Sequence, residues 1–480
     1  MKTTILAMLL LASCILAACT RSSPNIQLVQ ADSLIQKFPD SALHFLQGIQ
    51  PKGLHLAADR AYYALLLTQV KDKNFIHQTE DSLIRIAVQY YDSTKNTAMQ
   101  ARAHYYLGCI WRNKDYHPEA LKEFFKAITY SKRIFDNSLT GHIYNNIAYL
   151  YYLQRLNEEL SQIEQHHLKT IYIGGGTPSA LNDEQLEKLM SMLKTYSLEV
   201  EEYCMEVNPE SMDYYKLKIL KKGGINRLSI GVQTFQDHLL KEIDRHHNTT
   251  QVKNIIKYAK EIGFDNISID LMYGLPKQTK EDIQKDIEVL QTLNLQHVSY
   301  YSLILEEGTI LKYKNYQPLD EESEYQLTLF IDQELEKIGF EKYEISNYAK
   351  QGYQSKHNLT YWYYDNYYGI GLGACSKIDG QIIEHSRSLT KYLNGDFKTT
   401  TIDETKEETM FNQIMMSLRL KEGLDLKKFK ERYQEDACIL YKEEVTRNIE
   451  KGRLMIENDY LKATQEGQYV LNDILIDFMK

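Results

Sequence analysis

The sequence predicts a chain in two parts, an all-α helical segment over 31–160 followed by an α/β body built as an open or partial (β/α) barrel. Three observations predict it. Over Ala31–Leu160 apolar residues recur at i, i+3 and i+4 with almost no strand signal. After Ser161, short β-rich runs alternate with longer amphipathic stretches at roughly 30–40 residues per unit, the pattern of parallel strands joined by crossover helices. Charge divides the same way: residues 1–160 carry 17 Lys/Arg against 13 Asp/Glu, and the rest carries 39 against 52. At 43% hydrophobic and 25% charged residues the chain is neither disordered throughout nor a polytopic membrane protein. A net charge of −9 argues against a nucleic-acid partner, because no basic excess exists to neutralise phosphates.

Residues 1–19 read as an export signal. Lys2 supplies a positive start, and Ile5 to Leu16 is an apolar run too short to span a bilayer. The run ends in Leu16-Ala17-Ala18-Cys19, which resembles a bacterial lipobox with Cys19 as the lipidation site; an uncleaved apolar helix is the other reading.

Within 31–160 the spacing of Leu107, Gly108, Trp111, Ala120, Phe124 and Ala127 matches a tetratricopeptide (TPR) repeat. Gly108 and Ala120 would let two antiparallel helices approach, with Trp111 and Phe124 filling the space between them. A weaker copy follows at Ile147, Ala148 and Tyr151, and a degenerate one lies near Ala61–Leu67. Stacked helix pairs leave a face for a protein partner. An unrelated helical hairpin remains the alternative.

The α/β body shows strand runs at Thr170–Ile173, Tyr203–Val207, Arg227–Gly231, Ile267–Leu271 and Val298–Leu303. Helical stretches at Asp183–Tyr196, Met212–Lys221, Thr250–Ile262 and Lys280–Leu293 separate them. Function in such folds collects at the C-terminal ends of the strands. Those ends carry Gly174-Gly175-Gly176-Thr177-Pro178, then Glu206-Val207-Asn208-Pro209, then Gly231-Val232-Gln233-Thr234, then Asp270-Leu271-Met272-Tyr273-Gly274-Leu275-Pro276. The glycines free backbone groups for close contact with a polar ligand. Glu206 and Asp270 offer carboxylates to hydroxyl or amino groups, Gln233 an amide, and Arg245 a bidentate fork for a carboxylate. Together they describe a pocket for a zwitterionic, nucleoside-like ligand.

These four motifs, with Arg245 twelve residues after Gln233, resemble the radical S-adenosylmethionine (SAM) proteins of the HemN/HemW group, which contains oxygen-independent coproporphyrinogen III oxidases and heme chaperones. The heme-chaperone branch is favoured by Tyr343 to Ala349, by His357-Asn358-Leu359-Thr360-Tyr361-Trp362 and by Gly369 to Ala374. From Leu418 to Leu424 and on to the end, the chain is similar to that group's small winged-helix-like C-terminal domain. The resemblance spans about Lys169–Lys480. It implies a truncated radical-SAM-type barrel at 169–345, a connecting region at 346–400 and the C-terminal domain at 401–480.

The resemblance implies that Gly174, Gly175, Gly176 and Thr177 hold the amino group of SAM, and that Glu206, Gln233, Arg245 and Asp270 contact its other polar parts. It makes His357 the leading candidate for a heme ligand, a role imidazole suits; a structural histidine is the alternative, and His166-His167 and His246-His247 are weaker candidates. The expected function is heme binding and transfer to an acceptor protein. Two alternatives stand beside it: coproporphyrinogen III oxidation in porphyrin biosynthesis, and a membrane-anchored TPR interaction protein with an inactive C-terminal part.

One element of the group's pattern is missing. Its [4Fe–4S] cluster needs three cysteines in a short CxxxCxxC loop ahead of the glycine strand. Here the cysteines stand at Cys14, Cys19, Cys109, Cys204, Cys375 and Cys438, the last four at least 63 residues apart. Cys375 also stands where the group carries a histidine. Ahead of Thr170 the chain continues the helical segment, so it reads as a fusion of a lipoprotein-like repeat segment to a body lacking its first strand. That loss would expose an edge of the sheet. The resemblance implies a cytoplasmic protein and the lipobox a membrane-anchored lipoprotein. Gly369–Ala374 lacks the strand–turn–helix setting of a dinucleotide site, and the charge runs Asp403–Glu408 and Lys427–Arg432 read as solvated helix faces.

Overall fold

The computed structural model describes residues 25–74, 76–163, 168–305, 310–314 and 316–479. The leader with Cys19, and the pair His166-His167, lie outside them. Among the described residues no helix is long and apolar enough to cross a membrane. The chain divides into two compact units between Leu156 and Asn157.

In the first unit, helices Ile26–Ile35, Pro39–Gln47, Ala57–Lys73, Ser82–Asp92, Thr97–Asn113 and His117–Arg133 follow one another, and consecutive helices pack together. The repeat-like spacing falls on the last pair. A Cβ at Gly108 would stand 2.7 Å from the Phe124 ring, so only glycine allows this approach. Phe124, Ala120 and Ala127 are fully buried. Trp111, expected to fill the interhelical space, is half-buried, with the Arg85 and Lys114 cations 5.5 and 5.1 Å from its ring centre. The interior is not purely apolar: buried His104 places its ring nitrogens 2.5 Å from Glu123 and 2.9 Å from Asp92.

In the second unit five parallel strands, β1 (Thr170–Ile173), β2 (Glu202–Val207), β3 (Arg227–Gln233), β4 (Asn266–Tyr273) and β5 (His297–Ser302), lie in chain order. Two short antiparallel strands, β6 (Glu341–Lys342) and β7 (Asn347–Ala349), extend the sheet in the order β1-β2-β3-β4-β5-β7-β6. The barrel is therefore open, as expected, and β1 is an edge strand. Helix Lys356–Trp362 packs against that edge strand, with the His357 ring stacked on Tyr172 at 5.0 Å.

The side-chain alternation of strands sets the two faces of the sheet. Tyr203, Met205, Leu228, Ile230, Ile269 and Leu271 are almost fully buried. Tyr203 reaches Met190 on helix Asp183–Leu193, whereas its neighbour Cys204 lines a cavity on the opposite face. Such parallel strands are ordinarily apolar on both faces; here the other parity is mostly polar, and that difference defines the site.

Beyond the sheet, β8 (Cys375–Ile378), β9 (Gln381–His385) and β10 (Lys398–Asp403) form a small antiparallel sheet. A C-terminal module follows, in which helices such as Lys406–Ser417 and Leu426–Tyr433 share an apolar core with the three-stranded sheet of β11 (Leu424–Asp425), β12 (Leu454–Glu457) and β13 (Tyr460–Ala463). The change of unit comes four residues before Leu160, the end of the expected helical segment. Glu159 supplies the physical reason. Its buried carboxylate accepts from the Gly371 amide at 2.9 Å and the Tyr392 hydroxyl at 2.6 Å and lies 3.0 Å from His385 Nδ1, so the last turn of helix Asn137–Leu160 is bound into the second unit. Gly369–Ala374 is thus a loop that receives a carboxylate and leads into a strand.

Candidate functional site

The polar parity of the strands meets in one concavity. Parallel register sets Tyr172 beside Cys204, Cys204 beside Arg227, Glu206 beside Ser229, Ser229 beside Ser268, and Asp270 beside Ser299. The cavity on this face measures about 250 Å³; its wall includes Tyr172, Cys204, Arg227, Asp270, His297 and Tyr301, and of the expected ligand residues Asp270 alone is part of it. A wall of hydroxyls, carboxyls and amides suits a polar ligand.

At the end of β1, the glycine triplet is shaped by its neighbours. A Cβ at Gly174 would stand 2.5 Å from the Tyr172 ring and 2.6 Å from Glu206 Oε1, whereas Gly175, at φ +81°, and Gly176 face open space. The Tyr172 hydroxyl donates to Glu206 Oε1 at 2.7 Å. Asn208 ties the loop to β2, donating from Nδ2 to Thr177 at 3.4 Å and from its backbone to Ser179 at 3.0 Å. Gly174→Ala is expected to push the Tyr172 ring away from Glu206 and to weaken binding of S-adenosylmethionine, the ligand the resemblance implies, about tenfold. Overpacking of this kind also costs about 1–3 kcal/mol of stability. Equilibrium dialysis and urea unfolding read the two effects, and unchanged affinity would remove the glycine loop from the site.

Asp270 lies deeper. Burial pushes its carboxyl up to about 6; nearby Glu206 adds to the shift, while hydrogen bonds from Ser299 and Ser229 and the Arg227 cation oppose it. A titratable group displaced toward neutrality in a polar cavity is a recurrent mark of a ligand site. Gln233, nearly fully buried, has a left-handed backbone at φ +68°, where the β3–β4 register slips between Gly231 and Gln233. A non-glycine residue held there is strained, and such strain collects at functional positions.

Tyr301, at the end of β5, joins these residues and was not among those the sequence singled out. Its hydroxyl donates to Gln233 Oε1 at 3.3 Å. Burial and the carboxylates of Asp270 and Glu206 push the phenol up to about 12, and the Arg245 cation opposes them. Tyr301 thus shares the cavity wall with Asp270 and is bonded to Gln233, whereas Glu206 and Arg245 act on it through their charge alone. Tyr172 was missed as well. The signal available was strand alternation, which turns one of Tyr300 and Tyr301 inward.

Arg245 is partly committed elsewhere, with its guanidinium 3.8 Å from Glu210. His247 is buried between Glu210, at 3.1 Å, and the Val232 carbonyl, at 3.1 Å, while His246 is exposed. Neither histidine enters the cavity wall.

His357 sits at the opposite end of the strands. Its Nδ1 lies 2.9 Å from Thr170 Oγ1 and its Nε2 3.0 Å from the Tyr361 hydroxyl, with Tyr172 stacked on one face. Burial depresses its basicity. In this arrangement both ring nitrogens are engaged by hydroxyls, so a role as heme ligand would require one of these bonds to open. Next to it, Glu202 accepts from Ser355 Oγ, Lys356 N and His357 N at 3.2, 3.1 and 2.9 Å, and Arg227 lies 3.6 Å from Glu202 while donating to Tyr353 O and Asn266. This buried pair caps helix Lys356–Trp362 and closes the base of the concavity.

The residues present do not fit a [4Fe–4S] cluster. Among the described residues no three His, Cys, Asp or Glu side chains converge to hold a metal, and the four described cysteines form no disulfide. Cys204 is buried, its thiol pushed well above the ordinary range by burial. Cys375 in β8 has its thiol raised by burial, beside the Tyr367 hydroxyl.

Comparison with known proteins gives a consistent answer. Residues 136–290 match the Radical SAM superfamily and residues 405–470 the HemN C-terminal domain. The "Heme chaperone HemW" of Bacillus subtilis (strain 168) is 37% identical over 345 residues, covering 68% of this chain and 91% of that protein. Its counterpart in Lactococcus lactis subsp. lactis (strain IL1403) is 36% identical over 337 residues, covering 68% and 89%. The solved structure of coproporphyrinogen III oxidase (HemN) from Escherichia coli superposes with a TM-score of 0.59 at 20% identity, over 68% of this chain and 82% of that one, a likeness of fold.

Proposed function

Because this chain belongs to the family of HemW heme chaperones, related to the radical SAM enzyme HemN, we propose that it binds heme, hands it to an acceptor protein, and uses the polar concavity of its second unit to hold S-adenosylmethionine. The observation that carries the ligand reading is the cavity wall, where Asp270 stands with Tyr301, bonded to Gln233, and Tyr172, bonded to Glu206. Gly174 to Thr177 would receive the amino end of the ligand beside Glu206, and Gln233 and Asp270 would take up its remaining polar groups. In the family, SAM bound to a cluster supplies radical chemistry; the chain provides no thiolate set for that cluster, so no step is derived through it. What its own residues do is bind and orient: Tyr172 fixes the Glu206 carboxylate, and the Arg227–Glu202 pair closes the base. Heme is cargo on this reading. The polar wall of the concavity is a poor match for a macrocycle's apolar faces, so heme is assigned elsewhere on the chain.

Titration of the full chain with hemin is expected to give a Soret band, which moves to apomyoglobin when that generic acceptor is added. No band at a tenfold excess of hemin would end the proposal. His357→Ala is expected to leave the band in place, because both ring nitrogens are already engaged; a displaced band would restore His357 as the ligand.

A further inference from the structure

Behind β3, away from the concavity, lies a carboxylate that none of the site motifs includes. Asp286, on helix Lys280–Leu293, is fully buried. Its Oδ2 accepts from Thr234 Oγ1 at 2.8 Å, and its Oδ1 from the Phe235 amide at 2.8 Å and from Gln236 Nε2 at 2.9 Å. All three donors belong to the turn directly after Gln233. Thr234 is drawn in further, with its amide on the Val232 carbonyl at 2.9 Å and its hydroxyl accepting from Gln236 N at 3.1 Å. The turn that follows the strained residue is therefore tied to the outer helix at three points.

We propose that Asp286 is the positioning residue for Gln233, holding the left-handed bulge that turns the glutamine amide toward Tyr301 and a bound zwitterionic ligand. The assignment rests on reading the concavity as the S-adenosylmethionine site. A residue at φ +68° relaxes toward the extended region unless its surroundings hold it, and here the strand slips register at that point, so the ladder does not hold it. The three bonds to Asp286 supply the restraint. Burial pushes this carboxyl up to about 6, and neighbouring Asp282 adds to the shift. The charge is held by hydrogen-bond donors, so the geometry of those donors, all in one turn, is fixed with it.

The test is a double-mutant cycle read by equilibrium dialysis of radiolabelled S-adenosylmethionine on the full chain. Asp286→Ala is expected to weaken binding about tenfold, since it strands three buried donors. Asp286→Asn, which keeps an acceptor for Phe235 N and Gln236, should recover most of that loss. Added to Gln233→Ala, the Asp286→Ala change is expected to shift affinity less than about twofold. An equal loss in both backgrounds would mean that Asp286 supports the fold generally and would overturn the proposal. Amide exchange at residues 233–236 of the ligand-free chain is a separate arm: faster exchange there in Asp286→Ala supports the clamp, and unchanged exchange removes it. Should the wild-type chain retain no S-adenosylmethionine, the ligand reading fails by itself, and the exchange arm still decides whether Asp286 holds the bulge.

Discussion

Arg227→Met is expected to destabilise the second unit by about 3–5 kcal/mol, the usual cost of removing one member of a buried ion pair. Arg227 is 2% exposed and its partner Glu202 3%. Without the guanidinium, Glu202 keeps its three donors from Ser355, Lys356 and His357 but loses its compensating charge, and Tyr353 O and Asn266 lose a donor. The damage should localise, because these groups tie the segment after β7 to the base of the sheet. The chain's two tryptophans make this measurable: Trp111 lies in the first unit and Trp362 at the end of the capped helix. In a Trp111→Phe background, urea unfolding followed by fluorescence reports the second unit alone. Adding Glu202→Gln should return at least about 2 kcal/mol, because a neutral amide does not need the cation. If the double variant is no more stable than Arg227→Met, the pair is not coupled and the base of the concavity is held by packing alone.

The strand ends were legible in the sequence for a physical reason. A parallel strand with one polar face must place its chemistry at alternate positions, and its exit loop carries glycines or prolines that punctuate the chain. Glu206, Gln233 and Asp270 could be read that way, and β1 begins and ends where its run of Thr170–Ile173 predicts. Three kinds of feature could not. Tyr172 and Tyr301 belong to a composition with 37 tyrosines, in which no single one stands out. Asp286 sits in an amphipathic helix where an aspartate among Lys285 and Glu288 looks solvated; only the fold shows it facing the β3 turn. The short strands β8 to β13, of two to six residues, carry too little alternation to be seen, so the two small sheets of the connecting region and the C-terminal domain were not placed residue by residue. His357 lies in a conspicuous motif, and the fold adds what the motif does not show, that the residue joins a helix to an edge strand.

Asp270→Asn is expected to raise stability at pH 7 by up to about 3 kcal/mol while weakening ligand binding. The sign follows from where the proton sits. The unfolded chain releases it near 3.8, whereas burial holds it in the folded chain to about 6. Between those values the folded state binds more protons, so unfolding free energy falls as pH rises through the window and levels off above it. About two units at 1.36 kcal/mol each set the upper bound. Asparagine has no charge to bury, so the gap between variant and wild type should open between about pH 4 and pH 6. Asp286 titrates in the same range but is present in both chains and cancels in the difference. A carboxylate kept at such a cost is justified by what it binds: the sulfonium charge of S-adenosylmethionine near Asp270 would return the desolvation energy as attraction. Saturating S-adenosylmethionine should therefore stabilise the wild-type chain, more strongly at pH 7.5 than at pH 5, and leave Asp270→Asn nearly unmoved. Trp362 unfolding curves with and without ligand measure both statements. A stability gap that stays flat from pH 4.5 to 8 would show that Asp270 is neutral for some other reason, and equal ligand stabilisation of both chains would show that its charge plays no part in binding.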